Sequence, residues 1–263
     1  MKKLIVFIGV LVCLYGIVLI GLYAAQDRMI YLPTKLPKNH KYKLRYPATE
    51  VFLTHENGNQ INALSFKTNQ TSKGVILYFH GNSRNLQHWG RFVNKFLIRG
   101  YDVFMIDYQG YGKSDGEVGQ EAFYEDAILA YNHVYKEYQD DIIIYGRSLG
   151  TGPASYLATK VDAKMLLLVT PFYSIPDVVR VQAPYVFIPF RLKTEFPNFE
   201  HIPKAKMPVH IAHGDNDNIV PIASGLKLKP LLREGDSFTI IEGGSHRNLV
   251  VYDKFEAILD RLL

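Results

Sequence analysis

Two serines sit at the centre of a Gly-x-Ser-x-Gly pattern, Gly146-Arg147-Ser148-Leu149-Gly150 and Gly112-Lys113-Ser114-Asp115-Gly116. The pattern has chemical meaning where the serine tops a strained turn between a buried strand and a helix, and the glycines let neighbouring backbone approach without a Cβ. Ser148 follows the apolar run Ile142–Tyr145 and precedes the small-residue stretch Thr151-Gly-Pro-Ala, so both flanks fit. Ser114 lies among turn formers in Tyr108-Gln-Gly-Tyr-Gly-Lys-Ser-Asp-Gly and reads as a loop residue. A serine hydroxyl is a weak nucleophile and needs an imidazole base, itself oriented by a carboxylate.

In a chain of this architecture the order is serine, acid, histidine. Of the nine histidines, His201, His210, His213 and His246 follow Ser148, and the first three precede any suitable acid loop. His246 stands in Glu242-Gly-Gly-Ser-His-Arg-Asn just past the last predicted strand, where glycines can carry a ring over a sheet edge. The acid is expected after the penultimate strand, in His213-Gly-Asp-Asn-Asp-Asn-Ile-Val-Pro221. Asp217 is the choice there, and Asp215, directly after the strand, is expected to shape the turn through side-chain-to-backbone hydrogen bonds. A developing oxyanion needs preorganised N–H donors. The backbone N–H of Leu149 is one, and Asn82, in the loop His80-Gly81-Asn82-Ser83 after a strand, is the other. His80 reads as a residue that braces this loop.

These residues need a scaffold, and the hydrophobic pattern describes one. Strands are expected at Glu50–Thr54, Ile61–Phe66, Val75–His80, Asp102–Asp107, Ile142–Tyr145, Met165–Val169, Val209–His213 and Ser237–Ile241, the first two flanking the turn Asn57-Gly58-Asn59. Between them run helical stripes: Trp89 to Leu97, Phe123 to Tyr138, a helix from Thr151, Ala223–Lys229, and a last helix burying Val251, Phe255, Ile258 and Leu262. Strand–helix alternation of this kind builds an α/β fold with a mostly parallel central sheet flanked by helices. Residues 171–208 hold seven of the 13 prolines and the apolar segment Tyr185-Val-Phe-Ile-Pro-Phe190. This stretch is expected to form a short cap over Ser148, with Tyr185, Phe187 and Phe190 contacting an acyl chain; a cap that simply packs on the sheet is the plainer alternative.

The chain begins differently. The 22-residue run Leu4–Ala25 carries no charge, long enough as a helix to cross a hydrocarbon core of about 30 Å. Tyr23 at −3 of the best cleavage position and Val12 ahead of Cys13 argue against a cleaved signal or a lipoprotein site. The expected organisation is an anchor (1–25), a basic juxtamembrane linker (26–45) and one domain (46–263). Lys2 and Lys3 favour an extracytoplasmic, periplasmic-type location for the domain. The cations from Arg28 to Arg45 argue for the opposite side, but a large domain translocates regardless of such flanks. These cations also suit anionic headgroups. Residues 1–50 contain eight Lys/Arg and two Asp/Glu, the remainder 22 and 23. The basic excess therefore belongs to the flank, which speaks against a nucleic-acid partner. With Cys13 the only cysteine, disulfides, cysteine catalysis and thiolate metal sites are excluded from the domain, and no metal or organic cofactor is expected.

The set Tyr78-Phe-His-Gly-Asn82, Asp107-Tyr-Gln-Gly-Tyr-Gly-Lys-Ser-Asp-Gly116, Gly146-Arg-Ser-Leu-Gly-Thr-Gly152, Thr170-Pro-Phe, His213-Gly-Asp-Asn-Asp-Asn-Ile-Val-Pro221 and Gly244-Ser-His246 resembles the membrane-anchored Bem-type α/β-hydrolases. These are related to the serine-aminopeptidase-like clan and to depalmitoylating and lysophospholipid-cleaving α/β-hydrolase-domain proteins. The resemblance implies a Ser148–Asp217–His246 triad, an oxyanion hole of Asn82 and Leu149, and hydrolysis of an acyl ester or thioester, without a cofactor, on a small-molecule or lipid substrate. Peptide or amide hydrolysis is the alternative within that chemistry, since a fold does not choose its leaving group. A tethered, non-catalytic binding module would lack a triad member. One departure is Gln109, where relatives usually carry arginine; its expected consequence is altered loop bracing.

Overall fold

The structure, a computed structural model, describes residues 2–263. Eight strands form one sheet: β1 (Thr49–Thr54), β2 (Gln60–Phe66), β3 (Val75–Phe79), β4 (Asp102–Ile106), β5 (Ile142–Arg147), β6 (Met165–Val169), β7 (Val209–Gly214) and β8 (Ser237–Ile241). Their spatial order is β8-β7-β6-β5-β3-β4-β2-β1. Pairings from β4 through β8 are parallel, while β1 with β2 and β2 with β4 are antiparallel. The central strands are apolar throughout because both faces are covered. Leu77 and Ile144 pack with Phe123, Ala127 and Leu157 on one face. Ile76, Tyr78, Ile143 and Tyr145 pack with Phe96, Phe255 and Leu259 on the other.

Five helices matter for the site: α1 (Lys2–Ile30), α2 (Gln120–Tyr138), α3 (Thr151–Ala158), α4 (Ile175–Gln182) and α5 (Asp253–Leu262). The predicted alternation is present, and its departures have local causes. The helix expected from Trp89 to Leu97 is broken into Leu86–Trp89, a 3₁₀ turn Gly90–Phe92 and Asn94–Leu97. At the break Gly90 lies so close to the Phe66 ring and Leu44 that a Cβ would sit 3.2 Å from each. The Ala223–Lys229 helix is one turn, Ile222–Gly225, running into a 3₁₀ segment that contains Pro230. Val251 is a correction: it lies before α5 in a turn and is 69% exposed, so Phe255, Ile258 and Leu259 carry that helix's buried face.

Within residues 171–208, Ser174 accepts the Asp177 N–H at 3.2 Å and caps α4, with Pro176 in the first turn. The base of this segment belongs to the core. Phe196 and Ile202 are buried, and Asn198 donates to Phe172 O at 2.9 Å. Its tip is exposed, Tyr185 at 99% and Phe187 at 72%.

Helix α1 is long and apolar enough to cross a membrane, with mean hydropathy 2.9 over its best window and none of that window buried. Residues 26–45 run along the domain. Leu32–Pro33 pairs in parallel with Ser83–Arg84, Leu36 N donates to Gly112 O at 2.8 Å, and Tyr42 Oη donates to Asn62 Oδ1 at 2.7 Å. Two of the flank's cations are occupied by protein, Lys35 on Ser114 O at 3.0 Å and Lys38 on Asp115 at 2.8 Å.

Close packing at the β5–α3 turn gives a direct stability test. A Cβ on Gly150 would lie 2.2 Å from Phe79 O, whereas one on Gly119 meets nothing within 4 Å. Gly150→Ala is expected to cost about 3 kcal/mol or more, and Gly119→Ala about 0.5 kcal/mol or less. Denaturant unfolding of the detergent-solubilised chain measures both; equal effects would contradict the packing.

Candidate active site

The turn after β5 begins with Ser148 at φ +54°, a left-handed conformation unusual for a non-glycine residue and a form of stored strain. The surroundings hold it there. A Cβ on Gly146 would be 2.7 Å from Gly150 O and from Ala154 Cβ, and one on Gly150 would strike the carbonyls of Phe79 and His80. The turn is thus wedged onto the end of β3, and only glycines fit on either side of the serine. Thr151 Oγ1 donates to Ser148 O at 2.7 Å and closes the first turn leading into α3. Ser148 and Leu149 are buried, at the N-terminal end of this helical stretch, where the backbone dipole favours developing negative charge.

The loop after β3 lies against the serine: a Cβ on Gly81 would be 3.5 Å from Ser148 Cβ. His80, fully buried, holds this loop. Its Nδ1 meets Gly81 O at 2.7 Å, and since a carbonyl only accepts, that nitrogen carries the proton. The 81–82 peptide is trans, so the Asn82 N–H points away from the Gly81 carbonyl and hence away from His80. The other ring nitrogen meets Asp107 Oδ1 at 3.2 Å, and Asp107 also accepts from Leu86 N. Burial pushes the Asp107 carboxyl up, opposed by its bonds to His80 and Leu86. Both nitrogens of His80 are therefore occupied, as a bracing residue requires.

Asp217 and His246 come together from the loops after β7 and β8. His246 Nδ1 lies 2.8 Å from Asp217 Oδ2, and Asp217 Oδ1 accepts the N–H groups of Ile219 (3.0 Å) and Val220 (2.8 Å). Nδ1 on the carboxylate leaves Nε2 as the basic nitrogen. His213 Nε2 approaches Asp217 at 3.7 Å but donates to Val220 O at 2.9 Å, and burial lowers its pKa. That ring supports the loop. Asp215 braces the opposite loop, accepting from Gly243 N at 2.7 Å. Ser148 Oγ and His246 Nε2 are not hydrogen-bonded to each other in this arrangement, and such bonds commonly tighten only when substrate binds.

Arg147 links the two halves. Buried beside Ser148, its guanidinium spans the His246 and Arg247 carbonyls at 3.4 and 3.3 Å and lies over the Trp89 and Phe92 rings. Sequence reasoning did not single it out. The available signal was a charged residue ending an apolar strand, which must find partners among the adjacent loops.

The second pattern is structural. Ser114 Oγ donates to Asp107 O at 2.5 Å and accepts from Asn62 N at 2.9 Å. Gln109 braces the same loop: its N–H and Nε2 bond Asp126, which also contacts His55 at 2.8 Å. The Asp126 contact raises the His55 pKa. Tyr185, Phe187 and Phe190 line a cap cavity of about 520 Å³ together with Val179 and Leu192; Ser148, Asp217 and His246 do not line it. Among the described residues no His, Cys, Asp and Glu cluster is arranged to hold a metal.

Residues 70–200 match the family profile described as serine aminopeptidase, S33. The chain is 30% identical to α/β-hydrolase domain-containing protein 17B of Homo sapiens over 225 residues, covering 82% of this chain and 74% of that protein. The Xenopus tropicalis protein of the same name is 29% identical over the same span. Among solved structures, the Pyrococcus furiosus esterase Pf2001 superposes with a TM-score of 0.70 at 16% identity, covering 89% of this chain and 97% of that one. The α/β-hydrolase GrgF from Penicillium sp. sh18 gives 0.67, also at 16%, covering 82% and 96%. At such identities the structures speak for the fold, and the sequence relatives speak for the family. The chain belongs to the α/β-hydrolase family of α/β-hydrolase domain-containing protein 17B and is a serine hydrolase.

Proposed function

We propose that this hydrolase cleaves a carboxylic ester or thioester of an acyl substrate at a membrane, using Ser148, Asp217 and His246. The observation that carries the reading is the strained Ser148, wedged beside the loop of Asn82, on the same sheet edge as the Asp217–His246 pair. His246 Nε2 takes the Ser148 proton as Oγ bonds to the acyl carbon, and the carbonyl oxygen becomes an oxyanion received by the N–H groups of Leu149 and Asn82. The oxyanion collapses, the alcohol or thiol leaves with the proton from His246, and an acyl-serine remains. Water then attacks the acyl carbon with His246 as base, releasing the carboxylic acid and restoring the Ser148 hydroxyl. Asp217 keeps the imidazole in the required tautomer throughout.

Two features favour an acyl substrate at a lipid surface over a peptide. Helix α1 has the length and apolarity of a single-pass anchor, and its Tyr23 ring packs edge-on against Phe190 of the cap at 5.2 Å. The cap tip, with its aromatic cavity, therefore sits beside the proposed anchor, where an acyl chain enters from the bilayer. Cations of the 26–45 stretch such as Lys41 and Lys43 suit anionic headgroups, and the extracytoplasmic placement of the domain rests on Lys2 and Lys3 alone.

Two expected outcomes test this. With p-nitrophenyl esters, Ser148→Ala should lower kcat by about 10⁵ or more and Asp217→Asn by about 10³–10⁴ through the wrong imidazole tautomer; retention of the rate in Ser148→Ala would overturn the site. Phe187→Ser with Phe190→Ser should lower kcat/KM on palmitate esters at least tenfold while acetate hydrolysis changes less than twofold. Equal losses on both chain lengths would remove the acyl role of the cap.

A further inference from the structure

The last turn of α1 ends on the catalytic domain, and it ends at two places that matter for catalysis. Gln26, buried just past the apolar run of α1, accepts the Lys193 N–H at 2.7 Å, and Tyr31, buried, places its hydroxyl 2.9 Å from Thr194 Oγ1. These contacts hold the cap. The adjacent residues hold the loop after β3. Asn82 Nδ2 donates to Ile30 O at 3.2 Å, Leu32 N donates to Asn82 O at 2.9 Å, and the short Leu32–Pro33 strand pairs with Ser83–Arg84.

Asn82 is thus fixed from two directions. His80 holds the preceding carbonyl, Gly81 O. Residues 30–32, with Tyr111 Oη at 2.6 Å, hold the Asn82 carbonyl and side chain. Two planar peptides tied at their carbonyls leave the intervening N–H little freedom. Both the cap and the N–H are therefore referenced to one rigid element.

We infer that the end of the apolar helix, Ile30–Leu32, is a positioning element of the oxyanion hole: it holds Asn82 so that the backbone N–H meets the developing charge. Ile30 and Leu32 are positioning residues, since neither touches the reacting atoms. The inference rests on the reading of Asn82 as an oxyanion donor. Losing such a donor costs about 10²–10³ in kcat, and misplacing it costs part of that. The helix is then a working part of the active site as well as a tether, and the reaction of a short soluble ester depends on it.

The test uses the full chain in detergent micelles with p-nitrophenyl butyrate, a substrate too short to report on the cap. Leu32→Pro removes the N–H bonded to Asn82 O, and Asn82→Ala removes the side-chain tie to Ile30 while keeping the backbone N–H. Each is expected to lower kcat about tenfold with KM within twofold, and Met29→Ala, an exposed neighbour on α1, to change neither. Should Leu32→Pro fail to fold, Asn82→Ala decides alone. If kcat stays within twofold of the parent in the folded variants while Tm falls, the contacts are only structural and the inference is overturned. Ser148→Ala in the same assay separates this from the catalytic reading. A rate lost in Ser148→Ala but intact in the tie variants overturns the inference alone; a rate retained in Ser148→Ala overturns the reading beneath it as well.

Discussion

The arrangement depends on one steric constraint, the seating of the β5–α3 turn on the end of β3. Gly150 touches the Phe79 and His80 carbonyls at a distance no Cβ tolerates, and Gly146 touches Gly150 and Ala154. Between them Ser148 has no relaxed conformation and stands at φ +54°. That contact sets the distance between the serine and the 80–83 loop, so the proposed nucleophile and the proposed oxyanion donors are placed by a single packing event. The loops after β7 and β8 need only deliver a histidine and its carboxylate to the same edge, which parallel pairing of β5 through β8 does.

Charge inside this framework is handled by pairing. Asp107 and His80 occupy one buried contact behind the 80–83 loop, and Asp126 with His55 and Gln109 occupies another behind the 108–116 loop. Arg147 is partly compensated, its Nη2 by two carbonyls and its plane by two aromatic faces, while its buried Nη1 has no partner. Removing one partner of such a group leaves the other buried and unsatisfied, a cost that replacing both would avoid. The N-terminal helix adds a further layer, because its last turn contacts both the 171–208 segment and the 80–83 loop.

Much of this was legible in the sequence because the signals were local. Continuous apolar runs such as Val75–Phe79 and Met165–Val169 mark strands buried on both faces, and the glycines around Ser148 and the carboxylate run at 213–221 mark loops at strand ends. Less legible were features set by distant contacts. The break at Gly90 follows from Phe66 and Leu44, and the exposure of Val251 from a turn that starts α5 two residues late. The docking of residues 26–36 also lay beyond reach, since a basic, proline-containing stretch has the composition of a linker whichever surface it meets. Arg147 was hidden for the same reason: its partners are backbone carbonyls nearly 100 residues away, which no spacing rule reveals.

The central claim is that Ser148 is the activated nucleophile. The most direct measurement is reaction of the detergent-solubilised chain with a fluorophosphonate, followed by mass spectrometry of its peptides. The account predicts a single modified residue, Ser148, with labelling slowed severely in His246→Ala and abolished in Ser148→Ala. Modification at Ser114, or ester hydrolysis by a chain whose Ser148 stays unmodified, would contradict it.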